Sequence, residues 1–158
     1  MNYIGTLIAV KDVAASRQFY QDILGQIIAA DLGANVVFEG GFALQDLHYW
    51  ADFIDDKTEN IQFNHLASEL IFEEKDFDKF VERLKEYDGI EYVHDVKEFP
   101  WGQRVIRFYD LDRHIIEVGE MMSSVCRRFI DSGMTIEEVA ALMYAPVEYV
   151  KNCLREEG

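Results

Sequence analysis

Arg104 and Arg107 lie in or beside one strand-like run, Val105-Ile106-Arg107-Phe108-Tyr109, where a guanidinium could pair an anionic substrate. The same two arginines could equally be neutralised by neighbouring glutamates, since the 158-residue chain carries 30 Asp and Glu against 15 Lys and Arg. Trp101 and Tyr109 flank this run and could line an apolar substrate pocket or pack into a core. His48, His94 and His114 show no metal-ligand spacing and suit turns or the surface. There is no glycine-rich phosphate loop, nucleophile elbow or CxxC pair.

The elements that must position these residues come as a repeat. Asp12 to Gly25 and Asp76 to Gly89 are the same strand-to-helix unit, 64 residues apart. In the first helix Val13, Phe19, Tyr20, Ile23 and Leu24 form one apolar face, and in the second Phe77, Phe80, Val81, Leu84 and Tyr87 do. Asp12 and Asp76 stand where an N-cap belongs, Gly25 and Gly89 where a left-handed C-terminal residue belongs. Strand-like runs follow each helix: Ile27–Ala30, Val36–Phe38 and Phe42–Leu44 in the first copy, with Gly40-Gly41 as a hairpin turn, and Ile90–Val93, Val105–Tyr109 and Ile115–Val118 in the second. A duplicated module of this kind predicts two half-sheets related by a pseudo-twofold around one shared cavity.

Three pieces, Leu7 to Gly25, Phe99-Pro100-Trp101-Gly102-Gln103-Arg104, and Phe108-Tyr109-Asp110-Leu111-Asp112-Arg113-His114-Ile115-Ile116-Glu117-Val118, resemble the vicinal oxygen chelate superfamily, the group of glyoxalases, bleomycin-resistance proteins and extradiol dioxygenases. The resemblance covers about residues 1–120. It implies an α+β fold of two βαβββ modules, 1–47 and 64–120, joined by 48–63, that form a paired, open barrel-like sheet around a shared pocket. It leaves open lyases, isomerases, dioxygenases, transferases and metal-free drug-binding proteins.

The family site is a divalent metal held by His, Glu or Gln from four strands. By resemblance its positions fall on Gly5, Glu69, Glu117 and Gln45, the last with a possible slip to Leu44. Gly5 has no side chain to offer, and His65, four residues before Glu69, is a possible substitute or a solvated loop residue. The remaining set, Gln45, Glu69 and Glu117, lacks histidine and suits Mg²⁺, Mn²⁺ or Ca²⁺ better than Zn²⁺ or Fe²⁺. Without a metal, two carboxylates converging in a partly dry cavity would repel one another and raise one carboxyl pKa, so that Glu117 or Glu69 could serve as general acid or base. Alternatively both are polar residues at a wet pocket mouth. The implied substrate contacts are Arg107, Trp101 and Tyr109.

Two function classes follow. One is a metal-dependent lyase or isomerase acting on a substrate with adjacent oxygens; the other is a metal-free binding or sequestration protein of the drug-resistance type. A net charge of −15 disfavours nucleic acid and anionic membranes as partners, leaving a small-molecule ligand and a homodimer as the expected partners. No apolar run approaches a membrane span, and Cys126 and Cys153 are read as reduced thiols in a cytoplasmic protein.

Residues 47–63, with Trp50, Phe53 and Ile54, read as a segment folded over the surface or over the pocket. Past Glu120 the pattern becomes helical: Met122–Ser132 ended by Gly133, Ile136–Met143 capped by Thr135, and Val147–Arg155. The extension 121–158 is expected to pack through Val125, Phe129, Ile136, Val139, Leu142, Val150 and Leu154. The extension as a whole carries four basic and six acidic residues, which argues against DNA binding by its helix-turn-helix-like middle and for a cap or dimer contact.

Overall fold

A computed structural model describes residues 1–155. The chain divides into two compact units, the first comprising Met1–Ser68 with Asp110–His114, the second Glu69–Tyr109 with Ile115 onward.

In the first unit, β1 (Thr6–Val10) leads into α1 (Val13–Leu24), then β2 (Ile28–Asp31), β3 (Asn35–Phe38), β4 (Phe42–Asp46) and the short helix α2 (Leu47–Phe53). The sheet order is β1-β4-β3-β2, with β1 and β4 parallel. Helix α1 has the expected chemical limits. The Asp12 side chain accepts from the Ala15 N–H, and Gly25 closes the helix at φ 62°. The apolar face of α1 covers one face of the sheet. Tyr20 contacts Phe38 and Phe42, whose rings stack 4.7 Å apart, and Val10, Val36 and Leu44 are fully buried beside them.

The second unit repeats the plan with β5 (Glu69–Glu74), α3 (Phe77–Lys85), β6 (Tyr92–Glu98), β7 (Arg104–Tyr109) and β8 (Ile115–Glu120), in the order β5-β8-β7-β6. Phe77, Phe80, Val81 and Leu84 of α3 are buried, as are Ile106, Phe108, Ile116 and Val118 of the sheet. The fold is therefore the expected α+β pair of βαβββ modules, each with its own open sheet.

Several boundaries differ from the sequence reading. Helix α3 ends at Lys85, because Glu86 and Tyr87 turn away through bonds to Arg83 and Leu84, three residues back; Gly89 lies beyond that turn. The Asp76 carboxylate faces Lys79 at 3.3 Å and does not cap the helix. Strand β6 starts later and runs longer than Ile90–Val93. The segment between the modules is structured: Asp46 caps α2 by accepting from the His48 and Tyr49 N–H groups, and Thr58–Asn60 forms a 3₁₀ turn.

Three helices follow β8: α4 (Met122–Asp131), α5 (Ile136–Leu142) and α6 (Val147–Arg155). Thr135 and Glu138 form a reciprocal capping box at the start of α5. The centre of this bundle is Cys126, Val139, Ala140, Met143, Val150 and Cys153, with Phe129, Ile136 and Leu154 packed around it. Leu142 is only half-buried, because Ala140 and Met143 take the inward positions of α5. These helices belong to the second unit. Phe129 sits over Gly102, and Arg128 donates to the Gly102 carbonyl at 2.6 Å. No helix among the described residues is long and apolar enough to cross a membrane.

Candidate functional site

Side chains alternate across a strand, so the residues between the buried apolar positions of β7 and β8 project from the face opposite α3. On that face Arg107 is paired in register with Glu117 on one side and His94 on the other. Glu69 joins them from β5. The Arg107 guanidinium donates from Nε to Glu69 Oε2 at 2.8 Å, and from Nη2 to both Glu69 and Glu117. Its Nη1 lies 3.3 Å from His94 Nε2. Because His94 Nδ1 approaches the Asp95 carbonyl at 2.7 Å and must donate to it, Nε2 is the acceptor that Arg107 needs. The Phe99 ring closes the group, 5.7 Å from the guanidinium. One cation thus holds two carboxylates, and the repulsion expected between Glu69 and Glu117 is answered within the protein.

The first unit has no counterpart of this charge cluster. Ile71 pairs with Glu117 in the second sheet, and 64 residues earlier Leu7 pairs with Ala43. The residue equivalent to Glu117 is therefore Ala43, and the expectation that Gln45 fills this position is corrected: Gln45 pairs with Ala9 and is equivalent to Gly119. By the same registers Arg107 is matched by Val37 and Glu69 by Gly5. Gly5 is required where it is, since a Cβ there would lie 2.5 Å from the Gly41 carbonyl oxygen. Gly5, Leu7, Val37 and Ala43, with Ile4 and Asn35, line an open apolar pocket of about 260 Å³.

These residues do not fit the metal that the family resemblance implies. Glu69 and Glu117 are both committed to Arg107. Gln45 is buried and spends its amide locally, donating to the Ala34 carbonyl and accepting from Asn35. Among the described residues no cluster of three or more His, Cys, Asp or Glu side chains is arranged to hold a metal ion.

The other candidates are placed as follows. Arg107 has each of its nitrogens engaged as described, so pairing with a neighbouring glutamate is the reading the structure favours over an anionic substrate. Arg104 grips Glu120 at 3.0 and 3.1 Å and Asp78 at 2.7 and 3.2 Å. The hydrogen bond to Glu120 heads the causes that push its pKa above the usual arginine value, with burial opposing. Burial would raise Glu120, but the hydrogen bonds and charges of Arg104 and Arg128 outweigh it and hold the carboxyl below its usual range. Trp101 stacks on Phe99 at 4.8 Å, donates to Gln103 and packs against the helices that follow β8. Tyr109 is half-buried on the same strand face as Arg107.

Sequence reasoning missed a polar network in the first unit. Asp110 is buried and accepts four hydrogen bonds: from the Tyr20 hydroxyl at 2.9 Å, the His114 imidazole at 2.9 Å, and the N–H groups of Asp112 and His114. Burial, followed by the charge and hydrogen bond of Asp110, pushes the Tyr20 hydroxyl well above the usual tyrosine range, so it remains a donor. The available signal was local, a histidine four residues after an aspartate within one turn; Tyr20 lies 90 residues away in sequence.

The sequence matches the glyoxalase-like domain family model over residues 3–123. The chain belongs to this family. A solved structure from Agrobacterium tumefaciens, a protein of unknown function, is 35% identical over 76% of this chain and 94% of its own, with a TM-score of 0.68. Lactoylglutathione lyase from Agrobacterium tumefaciens shares the fold at 22% identity, covering 74% of this chain and 92% of that one, with a TM-score of 0.55. A genomically encoded fosfomycin resistance protein from Listeria monocytogenes shares it at 21% identity, 73% and 89% coverage and a TM-score of 0.54. No curated protein matches the chain.

Proposed function

We propose that this glyoxalase-like chain is a metal-independent small-molecule-binding protein that holds or sequesters its ligand. The observation that carries the reading is Arg107, which bonds Glu69 and Glu117 and supplies the positive charge that those two carboxylates would otherwise take from a metal. A metal-dependent lyase or isomerase would have to displace that guanidinium from both partners, leaving it half-buried without them.

The apolar pocket of the first unit supports a ligand with a compact hydrophobic part. At about 260 Å³ it lies just below the usual range for drug-sized ligands, and Asn35 and Thr6 add polar groups to a wall otherwise made of apolar side chains and glycine. The fosfomycin-resistance neighbour makes a resistance or sequestration role a natural one to propose. Both cysteines are free and buried, which fits a reducing compartment, and we place the protein in the cytoplasm, as a homodimer.

The test uses the purified full chain with the apolar dye Nile red as probe. Saturable binding that is unchanged by chelator and weakened at least tenfold by Ala43→Trp, which fills the pocket, is expected. Near-stoichiometric metal retained on purification, or a lyase activity restored by Mn²⁺ or Mg²⁺ after chelation, would overturn the proposal.

A further inference from the structure

A second site of the first unit adjoins the apolar pocket along β1. Strand β1, α2 and the segment before β5 enclose an open groove of about 270 Å³ lined by Ala9, Trp50, Phe63, His65, Ser68 and His114, among others. Four of these side chains are flat rings. Phe63 and His65 meet the His114 ring edge-on, at 5.8 and 6.4 Å between centroids. The backbone around both histidines is unusual: Asn64, Leu66 and Arg113, their direct neighbours, all adopt left-handed conformations at φ 62°, 55° and 68°. Such geometry is costly for leucine and arginine.

The hydrogen bonds fix what each imidazole offers. The Tyr20 hydroxyl and the N–H groups of Asp112 and His114 donate to Asp110, which leaves it an acceptor carboxylate, and at 2.9 Å from that carboxylate His114 Nδ1 is the ring nitrogen that carries the proton. Nε2 of His114 is then a lone-pair acceptor, with no hydrogen-bond partner among the described residues. His65 is the reverse. Its Nδ1 accepts from the Ala67 N–H at 3.4 Å, which leaves its proton on Nε2 as a donor. The groove therefore offers one acceptor and one donor on two neighbouring rings. A hydroxyl group, which donates one hydrogen bond and accepts another, is complementary to that pair. The lining contains no lysine or arginine to balance a full negative charge; Lys11, over the Phe63 ring at 4.4 Å, is already paired with Asp112.

We infer that this groove binds a planar, uncharged hydroxyl compound of the phenol or enol class, its O–H donating to His114 Nε2 and its oxygen accepting from His65. Trp50 and Phe63 supply the flat apolar walls for its ring. Asp110, held in turn by Tyr20, is the positioning residue that keeps His114 in the accepting tautomer. The inference is independent of the proposed function, since the two sites share only Thr6 and Leu7 of β1.

The test titrates the full chain, at a pH low enough that the phenol keeps its proton, with para-nitrophenol and with para-nitroanisole, its methyl ether, which keeps the ring and loses the donor. Para-nitrophenol is expected to bind saturably and about tenfold more tightly, the upper end for one net hydrogen bond. His114→Phe keeps a ring in place and should bring the two affinities together without abolishing para-nitroanisole binding. Equal binding of both compounds by the natural chain, absence of saturable binding, or an undiminished preference in folded His114→Phe overturns the assignment. Should that variant not fold, the ¹⁵N resonance of His114 Nε2 decides: a shift with para-nitrophenol and none with para-nitroanisole supports it, and no shift with either overturns it.

Discussion

Arg107 on β7 faces Glu117 across the β7–β8 ladder, and its guanidinium reaches past that partner to Glu69 on β5. Two carboxylates placed 48 residues apart in sequence are thereby tied by a cation from the chain itself. The half-buried setting matters, because a charge that is partly removed from water and then loses its partner has no cheap replacement.

Arg107→Met should convert this cluster into a cation trap. The substitution keeps most of the side-chain volume but leaves Glu69, Glu117 and the Nε2 acceptor of His94 facing a vacated positive position. Stability is expected to fall by about 1–3 kcal/mol, below the cost of breaking a fully buried pair because the site is partly exposed. Mn²⁺ should restore part of that loss in the variant, read as a rise in melting temperature, and leave the natural chain unchanged. Equal Mn²⁺ responses in the two proteins would contradict this account.

What was legible in the sequence follows the range of the interaction concerned. Asp12 and Gly25 act within one helical turn of their own helix, and local chemistry was sufficient to place them. Gly89 carried the same signal but lies past the tight turn of Glu86 and Tyr87 that ends α3 earlier. Glu69 and Glu117 could be singled out by resemblance, yet their partner depends on the register of β7 against β8, which no local pattern encodes. The shift from Gln45 to Ala43 has the same origin: the parallel pairing of β1 with β4 is set by the sheet as a whole, and both residues project from the same face. The four hydrogen bonds on Asp110 include one from Tyr20, a partner only the folded chain supplies.

Gly102→Ala should destabilise the second unit. Gly102 has φ 86°, and an added Cβ would fall 2.3 Å from the Phe129 ring of α4. Strain and collision together are expected to cost about 2–4 kcal/mol. In Phe129→Ala, which removes the ring, the further change to alanine at 102 should cost markedly less. Chemical denaturation of the four proteins measures the coupling, and strictly additive losses would show that the ring is not the obstacle.

Glu120 should give the fold an acid-sensitive component. Its folded pKa lies below the ordinary value of 4.5, so the stabilisation is complete above that value and is lost as pH falls through the folded pKa, once the unfolded state binds the proton first. Glu120→Gln removes this component while keeping the shape. The variant is expected to be less stable near neutral pH and to show a shallower loss of stability on acidification below about pH 4.5. Parallel stability curves for the two proteins from neutral pH to pH 3 would rule out Glu120 as the source.

Val150→Ala tests whether the helices after β8 are held by their shared core. Val150 is fully buried in α6, in one cluster with Cys126 of α4 and Val139, Ala140 and Met143 of α5. Each helix spans ten residues or fewer, too short to persist alone in water, so their order depends on this packing. Removing two buried methyl groups should cost about 2 kcal/mol and raise hydrogen exchange across α5 and α6. Truncation after Glu120 is expected to cost more, because it also strips Arg128 from Glu120 and the helical cover from Trp101. A melting temperature for the truncated chain equal to that of the full chain would show that the second sheet is stable without the three helices.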